Sequence, residues 1–150
     1  MNWLLKNYNF ADASQVVITG SSAGGIAALL WANYVQTLLN DPTVLSVVAD
    51  SGSLLYYPAY KIGISTGSIT VQNLFSIVNA EEKTPNTLCN SRFVGEEWKC
   101  FSVENSFCSI APRTLLLDSQ YDEFAISQIM RITCVVNGTV GGTMANCSKS

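Results

Sequence analysis

A short run of small residues, Gly-Ser-Ser-Ala-Gly at positions 20–24, constrains the fold of this chain more than any other feature. A β-branched run, Gln15 to Thr19, leads directly into it, and a long apolar run, Ala23 to Leu39, leads out of it. The first run is typical of a strand that is buried on both faces, and the second is typical of a buried helix. The sequence therefore predicts a sharp strand-to-helix turn with Ser22 at the start of the helix.

The spacing of these residues fits Gly-x-Ser-x-Gly, the turn that presents a nucleophilic serine above the sheet of an α/β-hydrolase. Small residues suit such a turn because strand and helix approach closely while the serine adopts an unfavourable backbone conformation. A phosphate-binding turn is the alternative, but the P-loop lysine is absent and the dinucleotide-binding glycine spacing is not met. We therefore predict that Ser22 is a nucleophile and that the backbone N–H of Ala23 is an oxyanion donor.

Two further strands are predicted downstream, at Val44 to Ala49 and at Arg113 to Leu117. Strand, helix and strand in this order form a right-handed parallel unit. We therefore predict an α/β fold: an α/β-hydrolase-like parallel sheet with helices on both faces, incomplete because the chain is a fragment. Residues 1–150 are predicted to be the central portion of one such domain, and residues 81–108 a cysteine-containing cap or excursion.

Several carboxylates follow the predicted strands, and one of them is expected to orient the base that activates the serine. In this fold the order along the chain is serine, acid, histidine, so Asp118 and Asp122 both qualify, with Asp50 a weaker candidate. Asp122 is equally suited to cap the helix that follows it. The chain contains no histidine, and we expect the base to lie in a part of the protein outside these residues.

The composition argues against several classes of function. The net charge is −3 and the eight Lys and Arg residues form no basic stripe, so nucleic acid is not an expected partner. No run reaches the roughly 18 apolar residues of a membrane span. Without histidines or a Cys-x-x-Cys pair the sequence predicts no metal site, and no motif calls for a cofactor.

The five cysteines and two glycosylation sequons of the second half favour an oxidising, secretory compartment. The sequons begin at Asn137 and Asn146. The first residues lack the basic start, long apolar middle and cleavage site of a signal peptide. A fragment of a secreted glycoprotein would carry cysteines and sequons without a signal peptide. The odd number of cysteines leaves one thiol unpaired or paired outside the chain.

Four stretches together resemble the pectin acetylesterase/Notum family of carboxylesterases, and the similarity runs from about Met1 to about Ile126. Residues 19–25 resemble its Ser-Ala-Gly-Gly turn, which opens an Ala-rich helix, and residues 49–52 its Asp-Ser-Gly or Asp-Ala-Gly. Residues 119–126 resemble its Tyr-Asp-x-Trp-Gln-Ile segment. Cys89 and Cys100 resemble its cysteine pair before the last strand, which implies a disulfide.

The resemblance implies that Ser22 is the nucleophile, Ala23 an oxyanion donor and Asp122, rather than Asp118, the acid of the triad. It implies a secreted serine carboxylesterase that deacetylates a pectin-like polysaccharide through an acyl-serine intermediate. Members of the family that remove a fatty acyl group from protein make an acylated protein the alternative substrate.

The chain departs from the family at several points. The Gly-Gly-Gly-Trp oxyanion loop and the histidine are absent, and Phe124 replaces the usual tryptophan. We therefore expect this chain to be inactive alone. The rival interpretation is a non-catalytic protein, either an inactive truncated relative or a secreted carbohydrate-binding protein.

Overall fold

The strands form one small parallel sheet in the computed structural model, which describes residues 1–55, 66–78, 80 and 85–132. The strands are β1 (Gln15–Ser21), β2 (Val44–Asp50) and β3 (Arg113–Leu117). Their order across the sheet is β1-β2-β3, and both pairings are parallel. The register places Ser21 opposite Asp50, and Asp50 opposite Leu117, so the carboxyl ends of all three strands meet at one edge. The predicted parallel α/β architecture is confirmed.

Helices and helical turns connect the strands. The α-helices are α1 (Asn2–Asn7), α2 (Ala23–Gln36), α3 (Thr66–Ile77), α4 (Thr87–Asn90) and α5 (Val103–Ser106). Short 3-10 turns occupy Phe10–Asp12, Glu97–Phe101 and Phe107–Ser109, and a π-helical turn spans Ala125–Ile129. The crossover from β1 to β2 is α2, as predicted, although it ends at Gln36 rather than continuing to Leu39. No helix among the described residues is long and apolar enough to cross a membrane.

One face of the sheet is covered by α2. Ala28 and Ala32 of this helix pack among Val47 and Ala49 of β2, and Ala32 and Ala49 are fully buried. Alanine side chains let the helix axis lie close to the sheet, which explains the high alanine content of the run that follows the turn. The N-terminus of α2 is thereby held just above the carboxyl end of β1.

The opposite face of the sheet is uncovered within the described part of the chain. The exposed fractions are 62% for Val17 on β1 and 53% and 46% for Leu115 and Leu117 on β3. The expectation that β1 is buried on both faces is therefore not met in this structure. Both faces of β1 carry apolar residues, as in a strand that is buried on both sides. A described helix covers only one of these faces.

A second layer packs on the side of α2 that faces away from the sheet. Leu30 of α2 joins Val71 and Phe75 of α3 and Phe101 in one buried cluster. The rings of Phe75 and Phe101 meet edge to face, with centroids 5.4 Å apart. This layer brings α3 and the 97–101 turn together, and α2 separates it from the sheet.

Residues 85–112, which precede β3 and are called the excursion from here on, are held against α2 by buried polar groups. Asn86 is fully buried; its Nδ2 donates to Ser109 Oγ (2.9 Å) and its Oδ1 accepts from the backbone of Cys89 (3.1 Å). Asn33 of α2 donates to the carbonyl of Ser109 (2.6 Å) and accepts from the backbone of Ala111 (2.9 Å). Every polar atom that these two asparagines bury costs free energy unless it is paired, so the contacts fix the excursion against the helix.

The disulfide implied by the resemblance is present between Cys89 and Cys100, and both residues are fully buried. Cys108 is a free, exposed thiol. Cys134 and Cys147 lie outside the described residues, as do the two sequons that begin at Asn137 and Asn146. The disulfide closes the excursion covalently, while the asparagine contacts attach it to the rest of the fold.

Candidate active site

Ser22 makes the whole turn between β1 and α2 by itself. The strand ends at Ser21 and the helix begins at Ala23, and the backbone of Ser22 has φ 55° and ψ −123°. A residue with a Cβ rarely adopts this conformation, and it persists only where the surrounding structure holds it. The side chain of Ser22 is exposed, as a serine that meets a substrate must be.

Main-chain hydrogen bonds hold the strained serine from both sides. Its N–H donates to the carbonyl of Asp50, the last residue of β2 (2.8 Å). Its carbonyl accepts from the N–H groups of Gly25 (2.9 Å) and Ile26 (3.2 Å) in the first turn of α2. The position of Ser22 is therefore set jointly by the helix that follows it and by the neighbouring strand.

Three glycines allow the backbone segments around Ser22 to touch. A Cβ on Gly20 would lie 2.2 Å from the carbonyl oxygen of Gly24, and one on Gly52 would lie 2.7 Å from the carbonyl carbon of Gly25. A Cβ on Gly25 would lie 2.9 Å from the Cα of Gly52. A Cβ on Gly24 would meet nothing within 4 Å. The close approach expected of the turn thus depends on side chains being absent at positions 20, 25 and 52, whereas position 24 has room for one.

Gly20→Ala is expected to lower the free energy of unfolding by about 3 kcal/mol, because the added methyl group would overlap backbone atoms that cannot rotate away. Gly24→Ala adds the same methyl group in the same turn with open space around it. It is expected to be neutral or to stabilise the helix by up to about 1 kcal/mol. Urea denaturation of both variants measures the difference, and equal midpoints for the two would contradict the packing described here.

The predicted oxyanion donor lies where a helix offers its N–H groups. Ala23 is the first residue of α2 and is exposed. The N–H of a first helical residue has no acceptor within its own helix, and the helix dipole favours negative charge there. The oxyanion role of Ala23 stays a prediction, and its N–H belongs to the first turn of α2, directly after Ser22.

Asp50 and the two residues after it connect all three strand ends. The Asp50 side chain accepts from Ser51 Oγ (3.1 Å), while its carbonyl bonds the serine turn. Ser51 has φ 51° and donates its N–H to the carbonyl of Leu117 at the end of β3 (2.7 Å). The Asp50 side chain therefore bonds its own neighbour, while the main chain of Asp50 and Ser51 connects the serine turn to the end of β3.

Asp122 caps the helical turn that follows it. Its Oδ1 accepts from the N–H of Ala125 (2.8 Å), and its carbonyl accepts from the N–H of Ile126 (2.9 Å). The side chain is half-buried, unlike that of Asp118, which is exposed. The capping role expected of such an aspartate is present, and it fixes one carboxylate oxygen while the second retains its own lone pairs.

Asp118 and Asp122 border the same cavity, which has a volume of about 440 Å³ and lies past the end of β3. Its polar side also carries Ser53, whose hydroxyl donates to Asp118 Oδ2. The remaining lining is Leu55, Val103, Leu116, Ser119, Gln120, Ala125, Ile126 and Met130. The structure thus brings the two candidate acids together, and it connects Ser22 to Asp50 through the main chain, but Ser22 does not line this cavity.

Sequence reasoning missed the contributions of Gly25, Gly52 and Ser53. The double glycine at 24–25 and the Asp-Ser-Gly at 50–52 were visible signals, but nothing in the sequence showed that the two glycines touch. Among the described residues no cluster of three or more His, Cys, Asp or Glu side chains could hold a metal ion.

A strained serine between a parallel strand and a helix, on a sheet of this topology, defines an α/β-hydrolase-like fold. The solved structure of the Wnt deacylase Notum from Drosophila has the same fold, with a TM-score of 0.64 at 18% sequence identity. The match covers 77% of this chain and 34% of that one. A family model for pectinacetylesterases matches residues 1–150, and the chain belongs to the pectinacetylesterase family.

Curated relatives agree with this membership. Pectin acetylesterase 5 of Arabidopsis thaliana is 26% identical over 129 residues, which are 84% of this chain and 29% of that protein. The palmitoleoyl-protein carboxylesterase NOTUM of Schmidtea mediterranea is 25% identical over 144 residues, which are 91% of this chain and 27% of that protein. The chain therefore spans less than a third of the length of these two relatives.

Proposed function

We propose that this chain carries the nucleophile and the acid of a serine carboxylesterase, with Ser22 as nucleophile and Asp122 as the carboxylate that orients the base. The observation that supports this most strongly is the backbone of Ser22, at φ 55° and ψ −123° immediately before α2. Strain of this kind is found where a serine must project above a sheet, and membership in a family of esterases supplies the chemistry.

The reaction follows from the groups in place. Ser22 Oγ attacks the carbonyl carbon of the ester, and its proton passes to the base. The carbonyl oxygen becomes negative beside the N–H of Ala23, which donates a hydrogen bond to it. The bond to the alcohol then breaks as the base returns the proton, and water cleaves the acyl-serine by the same steps.

The base is the group that this chain does not supply. The sequence holds no histidine, and the chain spans less than a third of the two curated relatives. We infer that a histidine and a second oxyanion donor come from a longer polypeptide that includes these residues, and that the chain by itself has negligible turnover. An inactive protein is the second candidate function, and the same missing histidine favours it.

The proposed substrate is an acetyl ester of a polysaccharide. The matching family model and the Arabidopsis relative are both named for removal of acetyl groups from pectin. The planarian relative is named for removal of a palmitoleoyl group from protein, so a fatty-acylated protein is the alternative. The buried Cys89–Cys100 disulfide supports a secreted enzyme, because disulfides persist in oxidising compartments.

Trapping the acyl-enzyme tests this proposal directly. Protein expressed with the coding sequence on either side of these residues is mixed with p-nitrophenyl acetate, quenched in acid, digested and analysed by mass spectrometry. One acetyl group is expected on the peptide that contains Ser22. Ser21→Ala is the matched control because it removes the neighbouring hydroxyl and keeps the label. A label that survives Ser22→Ala would refute the assignment.

A further inference from the structure

A surface groove of about 400 Å³ lies between α3 and the turn at residues 95–98. Gln72, Phe75 and Ser76 of α3 form one side, and Gly95, Glu97 and Trp98 form the other. The groove shares no residue with the cavity beside Asp122, and its volume falls within the range of roughly 300–1,000 Å³ typical of small-ligand sites. It is therefore a separate concavity whose chemistry can be considered independently.

The apolar part of the groove is aromatic and well fixed. Phe75 is buried and packs edge to face on Phe101 within the core, so its ring closes the floor of the groove and exposes little surface. Trp98 is half-buried, and the Lys99 ammonium lies 5.7 Å from the centre of its ring. That ammonium is paired with Glu96 at 2.5 Å. The aromatic surface of the groove is therefore mainly that of Trp98, and it lies beside the Lys99–Glu96 ion pair.

The polar part of the groove combines donors and acceptors. Gln72 and Ser76 are four residues apart on α3, so their exposed side chains lie on one face of the helix. An amide and a hydroxyl each both donate and accept hydrogen bonds, whereas the Glu97 carboxylate only accepts. The N–H of Gly95 donates to Glu97 Oε1 (2.9 Å), and this bond holds the pKa of Glu97 below its usual range. Among the described residues that line the groove, the Glu97 carboxylate carries the one negative charge.

We propose that this groove binds a neutral saccharide. The C–H face of a sugar ring is apolar and suits an aromatic surface, while its hydroxyl groups suit the mixed donors and acceptors of Gln72, Ser76 and Glu97. A uronate or a sulfated sugar would bring a second negative charge towards the Glu97 carboxylate, which is unfavourable. The site takes neutral sugar units and discriminates against acidic ones.

The proposal is independent of the esterase mechanism. No groove residue belongs to the serine turn or to the cavity beside Asp122. Binding is measured without any ester and without hydrolysis. Sugar binding without an acyl-serine would refute the proposed function and leave the groove assignment in place. An acyl-serine without sugar binding would refute the groove assignment and leave the proposed function in place.

Titration of the chain with galactotetraose and xylotetraose, followed by nuclear magnetic resonance of its three tryptophan indole groups, tests the proposal. The Trp98 indole signal is expected to shift on addition of at least one of these neutral sugars, while Trp3 and Trp31 stay in place. Tetragalacturonate at the same concentration is expected to produce a smaller shift. An unmoved Trp98 signal with both neutral sugars, or tighter binding of tetragalacturonate, would overturn the assignment.

Variants separate a binding role from a structural one. Gln72→Ala is expected to raise Kd for the bound neutral sugar about tenfold, and so is Trp98→Ala. Asn73→Ala is the matched control, since Asn73 is the next residue of α3, is also exposed and does not line the groove. If Asn73→Ala weakened binding as much as Gln72→Ala, the groove would not be the site. Gln72 is exposed, so its variant tests the proposal even if Trp98→Ala fails to fold.

Discussion

Under the proposed mechanism, Ser22→Ala in the longer protein is expected to lower kcat for p-nitrophenyl acetate by about a million-fold. The substitution removes the oxygen that forms the acyl-enzyme and leaves the main chain at φ 55° in place, because alanine and serine carry the same Cβ. The free energy of unfolding is expected to stay within about 0.5 kcal/mol of the parent. Stopped assays at high enzyme concentration, with Ser21→Ala measured in parallel, provide the comparison.

The strain at this residue gives the same experiment a second arm. Glycine has no Cβ and adopts positive φ readily, so Ser22→Gly is expected to abolish activity as fully as Ser22→Ala while stabilising the fold by about 1 kcal/mol. Stability without activity is the pattern of a backbone strained for function. Activity retained by either variant would show that another group is the nucleophile.

Under the same proposed mechanism, Asp122→Asn is expected to lower kcat about ten-thousand-fold, because an amide cannot stabilise the charged histidine that the proposal places beside it. The fold should be unaffected, since the amide oxygen of asparagine can still accept the hydrogen bond that Ala125 donates to Asp122 Oδ1. The variant therefore loses the negative charge and keeps the hydrogen bond of the helix cap. Equal thermal unfolding temperatures for parent and variant would verify that the cap is kept.

Asp118→Asn is the matched control, because Asp118 borders the same cavity and bonds Ser53 rather than a helical turn. It is expected to change kcat less than tenfold. The reverse ranking, in which Asp118→Asn is the damaging substitution, would move the acid of the triad to position 118 and leave Asp122 as a cap alone.

The parts of the fold that local patterns encode were predictable. The β-branched run before the serine and the alanine-rich run after it gave β1 and α2 with small errors at their ends. The exposure of one face of the sheet was not predictable from the sequence. The composition of a strand shows which of its faces are apolar, but it does not show which element covers each face. The π-helical turn at 125–129 was not predicted either, because a single turn of five residues is too short to show an apolar spacing different from that of an α-helix.

The candidate site divides in the same way. Ser22 and Ala23 follow from a five-residue pattern, and the choice of Asp122 came from family resemblance rather than from the physics of the sequence. The contact of Gly25 with Gly52 and the bond from Ser53 to Asp118 join segments that are 27 and 65 residues apart. No local pattern encodes such contacts, because they depend on which strands are neighbours in the sheet.

The glycine contacts around the serine bear on how specificity can diversify in such a protein. Where Gly20, Gly25 and Gly52 meet, main chain touches main chain, and no variable side chain is interposed. Other residues around Ser22 can consequently change during evolution without shifting it, provided that these three positions remain glycine. The proposed nucleophile would then keep its position while the residues that line the proposed substrate site change.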